Sequence, residues 1–306
     1  MVMIVLNAIF PIFALLFLGN LLKHFNITNE VFLKTSDKLV YFIFFPVMLF
    51  WKIGSSSPDK GVSINLCAAS ILAVGVVYLI SLAMIRLFHI SNFQAGTFSQ
   101  TCFRFNTYIG MAIVMNTLGE SGIRYFGILI GFAIPIINVL AVSTLIWYSG
   151  KKGSPRQHLK YLVKALISNP LILGCAAGLF FSRFQLSFPV FINNTFSLMT
   201  AVTMPLALIS IGGSLTLQGL KHNTKISFIA SLVKLLILPT TGFFLLNAFF
   251  VDGIAFKAGM IFFTLPTSTS IYVLSAQLNS DTQLASAAIM LSTLLSFMSL
   301  SVALLI

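Results

Sequence analysis

The chain has 306 residues, 58% of them hydrophobic and 8% charged, with a mean hydropathy of +1.01 and a formal net charge of +12. A soluble domain carries about 25% charged residues, so this composition excludes one and marks an integral membrane protein. The positive charge does not imply nucleic acid, because basic residues in the short loops of a membrane chain set its orientation.

Ten apolar segments are long enough to cross a hydrocarbon core of about 30 Å as helices. They cover residues 3–22, 39–54, 64–85, 93–118, 123–148, 161–181, 196–217, 226–250, 254–277 and 284–306. The first has no basic stretch before it and no small-residue cleavage pattern after it, which predicts a retained helix and not a removable signal peptide. With ten spans, one side of the membrane receives Lys23, Lys34, Lys38, Arg86, Lys151, Lys152, Arg156, Lys160, Lys164, Lys221 and Lys225. The other receives Lys52, Lys60, Arg124, Arg183 and Lys257. The excess predicts a multi-pass protein of the cell (inner) membrane with both termini on the non-cytoplasmic side. The three cysteines, Cys67, Cys102 and Cys175, lie in apolar segments without metal-ligand spacing and read as packing residues.

Prolines and glycines recur at one offset: Pro11 and Pro170, Gly19 and Gly178, Pro46 and Pro205, and Gly54 and Gly213 are each 159 positions apart. This predicts an internal repeat: residues 1–150 as a first half, a short cytoplasmic linker at 151–160, and residues 161–306 as a second half. Five spans per half is an odd number, so the second half would be inverted. Inverted repeats occur in many secondary transporters, whose sites lie near the midplane at discontinuous helices. The expected fold is therefore an all-α integral membrane protein of ten transmembrane helices in two inverted five-helix repeats, with discontinuous crossover helices four and nine.

The ninth span carries Pro266 followed by Thr267, Ser268, Thr269 and Ser270. Proline inside a helix removes an amide donor and clashes with the preceding turn, so the helix should break there. Freed backbone groups in a bilayer need partners, which hydroxyl side chains supply. Further along the repeat the offset becomes 160, as IVMNTLGES against VLSAQLNSD shows, and Asn106 of the fourth span then falls opposite Pro266, within the polar cluster Arg104, Phe105, Asn106 and Thr107. A half-helix beginning at the midplane presents unpaired N–H groups and partial positive charge, a ready anion site. A simple structural kink is the competing reading for a lone proline.

All six acidic residues and all four histidines lie in loops or at span ends, leaving the interior without a carboxylate. This disfavours a cation or proton exchanger built on buried acids, and no catalytic or metal-binding constellation is visible, so an enzyme is not expected. Two interior cations remain, Arg104 and Lys234, each costing about 2.5–3.5 kcal/mol at a helix centre on insertion scales. Backbone carbonyls, helix C-termini or an anionic substrate are their natural counter-charges, and Lys234 could instead snorkel to the interface.

These residues resemble the auxin efflux carrier family along nearly the whole chain. The resemblance rests on the stretch SNPLILG at 168–174, on TMPLALISIGGSL at 203–215, on VKLLILP at 233–239, and on the crossover-like segments RFNTYIGMAI and TLPTSTSIYVLSAQLNSD. It implies ten helices divided into a scaffold and a moving transport domain, with Asn106 matching the family's fourth-span crossover asparagine. Phe105 stands where the plant carriers usually have a proline, and the long regulatory loop of many plant members is absent. Plant members export auxin, a weak organic acid, and bacterial members are associated with malonate, malate and other small carboxylates.

The expectation is a permease for a small organic anion, a mono- or dicarboxylate, working by alternating access, with a gated anion channel as the alternative. The candidate substrate-binding residues are Arg104, Asn106, Thr107, Pro266, Thr267, Ser268 and Thr269, with Lys234 as a candidate charge partner. No cofactor or metal is expected; a coupling proton or sodium ion and a homodimer are left open. The expected surroundings are the lipid bilayer and the anion, without nucleic acid.

Overall fold

The computed structural model describes residues 2–55, 64–149, 168–184, 187–215 and 220–306. The expected linker at 151–160 and the start of the sixth span at 161–167 lie outside the described residues. Among the described residues every regular element is helical.

Helix α1 (Val2–His24) ends with Lys23 and His24 in its last turn, where cations complement the helix dipole. Asn29 then caps α2 (Glu30–Leu39), its side-chain oxygen accepting from the Phe32 amide at 2.8 Å. A five-residue π-helical segment, Val40–Phe44, joins α2 to α3 (Phe45–Gly54) without interruption. The helix thus begins nine residues before the position 39 expected from hydropathy. Glu30, Lys34 and Asp37 lower the local average, yet Leu33, Ser36 and Val40 form a buried stripe between them.

Helix α4 (Ile64–Leu87) precedes α5 (Asn92–Phe103), a break, and α6 (Thr107–Tyr148). The 42 residues of α6 are interrupted only at Gly119, whose φ of 61° is outside helical range and suits glycine. Next come α7 (Pro170–Arg183), α8 (Val190–Ser214) and α9 (Leu220–Leu232), followed by a second π-helical segment, Val233–Ile237, and α10 (Leu238–Ala248). Helix α11 (Gly253–Thr264), a second break, α12 (Ser270–Gln277) and α13 (Thr282–Leu305) complete the chain.

Both π segments precede a proline, Pro46 in α3 and Pro239 in α10. Proline has no N–H to give and its ring crowds the preceding turn. One wide turn absorbs that mismatch, so the helices continue where the later breaks do not.

Among the described residues six helical stretches are long and apolar enough to cross a membrane. In lipid, helices associate through close packing at small residues. Gly19 of α1 lies against the backbone oxygen of Ile209 in α8, and Gly212 of α8 against that of Leu16 in α1. Gly174 and Gly178 of α7 meet the backbone oxygens of Pro46 and Phe50 in α3 in the same manner. A β-carbon at Gly19, Gly174 or Gly212 would collide with main chain that cannot move aside, so these glycines set how closely the helix pairs approach. Around the breaks the core is aromatic, with Phe98, Phe103, Phe126, Phe262 and Phe263 all fully buried.

Candidate functional site

The two breaks face each other. In the first, Arg104 leaves α5 in extended backbone (φ −68°, ψ 150°), and Asn106 (φ −85°, ψ 103°) opens α6. The Asn106 side-chain oxygen accepts from the amides of Tyr108 (3.1 Å) and Ile109 (3.2 Å), so it does the capping that a serine or aspartate does elsewhere. Phe105 points into the aromatic core against Phe262, with ring centroids 4.4 Å apart. The break therefore forms without proline: Asn106 satisfies the freed amides, and Phe105 is buried against Phe126 and Phe262.

In the second break Leu265 ends α11 in extended backbone (φ −63°, ψ 147°). The Thr267 amide donates to the Ser292 hydroxyl at 3.1 Å, and the Ser268 hydroxyl accepts from the Ser270 amide at 3.3 Å. The expected supply of hydroxyl partners is thus present, one of them borrowed from α13. The two breaks are joined by a main-chain bond in which the Asn106 amide donates to the Pro266 oxygen at 2.9 Å.

A cavity of about 1060 Å³ opens beside this junction. Arg104, Asn106, Thr107, Ser268 and Thr269 line it, as do Ser270, which the hydroxyl run after Pro266 contains, and Asn138, which no sequence signal marked. The N-termini of α6 and α12 both border it, so the positive ends of two helix dipoles face one volume. Pro266 and Thr267 do not line it. Thr267 is fully buried, and Pro266 acts through its carbonyl on Asn106.

Arg104 is 7% exposed. Its Nη2 donates to the Asn138 side-chain oxygen and to the Ser270 hydroxyl, both at 3.0 Å, while Nε and Nη1 have no protein acceptor. Asn106 Nδ2 is likewise buried and unpartnered. Buried donors without acceptors are costly, and here all three belong to two residues that line one cavity.

Lys234 lies elsewhere. It is fully buried within the second π segment and donates from Nζ to the Phe263 oxygen at 3.2 Å, near the C-terminal end of α11. Snorkelling to the interface is excluded for this conformation, and the residue does not line the cavity. A backbone carbonyl at a helix C-terminus takes the place of an acidic partner.

A directed hydrogen-bond chain holds α5 to α12. The Ser280 hydroxyl donates to the Phe93 oxygen at 2.8 Å, so Thr97 gives its proton to Ser280 (2.8 Å) and receives one from Ser275 (2.7 Å). Ser275 in turn accepts from Gln100 Nε2 at 3.0 Å. All four side chains are buried, which makes the completed chain rigid.

The cavity also corrects one expectation. Asp37, exposed on α2, lines it together with Tyr41, so a carboxylate borders the cavity. The spans read from hydropathy began at residue 39 and left Asp37 outside. Asn138 was hidden for a different reason: a single amide in a long apolar helix gives no periodic signal.

Two broken helices crossing beside a polar cavity, within an otherwise apolar helical body, call for comparison with membrane transport proteins. The model of the membrane transport protein family matches residues 4–304. The chain belongs to that family, the one that contains the auxin efflux carriers. It is similar to an uncharacterized transporter of Methanocaldococcus jannaschii, with 24% identity over 310 residues, covering 97% of this chain and 96% of that one. The protein is thus a multi-pass membrane protein of a transporter family.

Proposed function

We propose that the protein is a permease for a small organic anion, a mono- or dicarboxylate, bound where the two helix breaks meet. The observation that carries this reading is the cluster of buried donors without acceptors, Arg104 Nε and Nη1 with Asn106 Nδ2, beside two helix N-termini at one cavity. A carboxylate supplies four acceptor positions and neutralises the guanidinium, whose planar fork suits it.

The same reading takes the chain as ten spans in two inverted halves. Its support is the exchange of partners between halves: α1 packs on α8 through Gly19 and Gly212, while α7 packs on α3 through Gly174 and Gly178. By the 159-residue offset α1 corresponds to α7, and α3 to α8, so the two contacts are equivalent. The cavity reaches the surface beside Lys23 and Lys34, the end that the basic-residue excess assigns to the cytoplasm. The conformation is then inward-open, and transport proceeds by alternating exposure of the crossing. In a cell negative inside, an exported monoanion gains about 2.3 kcal/mol per 100 mV, so efflux needs no coupling ion.

Counterflow of radiolabelled lactate, malonate, malate and indole-type acids in proteoliposomes tests the proposal. Saturable exchange for at least one carboxylate is expected. No carboxylate exchange would overturn it, and single-channel conductance steps would replace the carrier with a channel.

A further inference from the structure

Asp37 is an exposed carboxylate on the border of a cavity whose inner wall carries Arg104 and Asn106. Glu30, Lys34, Asp37 and Tyr41 follow one another at helical spacing along α2 and the π segment after it, and all four line the cavity. At a rise of about 1.5 Å per residue, Asp37 stands roughly 6 Å outward of Tyr41 and roughly 4.5 Å inward of Lys34 along the axis. Beyond it, Glu30 bridges Lys34 (3.6 Å) and Lys23 (3.8 Å), so those two cations are already engaged. Among the described residues no cation makes an ion pair with Asp37. Deeper in, Tyr41 lies within electrostatic range of both Asp37 and Arg104, and Tyr108 within range of Asp37. From mouth to crossing the order is an ion-paired cluster, Asp37, Tyr41 and then Arg104.

We propose that Asp37 is a specificity-determining residue that admits substrates with one carboxylate and rejects those with two. The inference rests on the anion-permease reading and narrows it. A monocarboxylate seated on the free edge of Arg104 turns its other end toward Tyr41 and Asp37, where an apolar group, a hydroxyl or an ammonium is tolerated. A short dicarboxylate brings its second negative charge into the same space, opposite Asp37, with Lys34 farther out along α2 and both Lys23 and Lys34 within ion-pair distance of Glu30. Like charges several ångströms apart in a site of intermediate polarity disfavour binding by roughly ten- to a hundredfold.

The test compares matched pairs in proteoliposomes at about pH 7.5, where each substrate carboxylate is ionised: propionate with malonate, and lactate with malate. Wild type is expected to exchange the monocarboxylate of each pair at least about tenfold faster at equal low concentration. Asp37→Asn is expected to shrink that ratio about tenfold or more, chiefly by gaining dicarboxylate exchange, and Asp37→Ser to do the same should the amide misfold. Because the ratio is taken within each variant, expression level cancels. A wild type that takes dicarboxylates as well as monocarboxylates overturns the inference while leaving the permease reading intact, as does an unchanged ratio in both variants. Absence of exchange for all four acids overturns the permease reading and this inference with it.

Discussion

The amide of Asn106 donates to the carbonyl oxygen of Pro266 at 2.9 Å, so each helix break is a partner of the other. The same asparagine caps α6 with its side-chain oxygen and leaves Nδ2 unpartnered beside the cavity. One residue therefore serves the junction with three separate groups, and substitutions can separate them.

Asn106→Asp retains an acceptor for the Tyr108 and Ile109 amides but replaces the free donor with negative charge. The protein is expected to fold with near-normal thermal stability in detergent while carboxylate exchange falls below about a tenth of wild type. Asn106→Ala loses the cap as well, at about 1–2 kcal/mol, and should lower both melting temperature and exchange. Exchange by the aspartate variant at wild-type rate would remove Nδ2 from the site.

For Arg104 the question is geometry against charge. Arg104→Lys keeps a cation but cannot reach Asn138, Ser270 and a carboxylate at once, because an ammonium lacks the planar fork. An increase of at least about tenfold in the half-saturating substrate concentration is expected from concentration-dependent counterflow. Unchanged affinity would mean that any buried positive charge suffices.

Lys234 is predicted to act on stability. Lys234→Met preserves length and burial while stripping the Phe263 oxygen of its donor. Leaving a buried acceptor unpaired costs about 1–3 kcal/mol, an effect visible as a lower melting temperature of the purified protein. Full stability with lost transport would instead tie Lys234 to the substrate.

Gly212→Ala tests helix approach. The added methyl would meet the Leu16 backbone oxygen, forcing α1 away from α8. Overpacking of this kind costs about 1–3 kcal/mol, and fluorescence-detected size exclusion should show reduced monodisperse protein. An alanine at Gly75, which has open space around it, should leave the profile unchanged.

Much of this was legible in the chain. Pro266 announces its break because proline withdraws a donor and adds a clash wherever it stands in a helix, and the hydroxyls after it announce the repair. Arg104 and Asn106 stand out because polar side chains are costly in lipid. The start of α2 was not legible at Leu39: hydropathy averages over a window, and Glu30, Lys34 and Asp37 are tolerated because they face a cavity that only the packed helices create. Lys234 allowed two outcomes, since a lysine eight or so residues into a span can reach the interface or a carbonyl equally well.

Membrane insertion and the positions of the two breaks were determined locally, by the transfer free energy of apolar runs and by the backbone chemistry of proline, asparagine and hydroxyl side chains. Which groups meet across the breaks was decided by tertiary packing. The Asn106–Pro266 bond, the Asn138 and Ser270 contacts to Arg104, the retreat of Pro266 and Thr267 from the cavity wall, and the placement of Asp37 on its border all join residues far apart in the chain. Their proximity depends on how closely helices approach, and that distance is set by backbone contacts at glycines, which no single segment encodes.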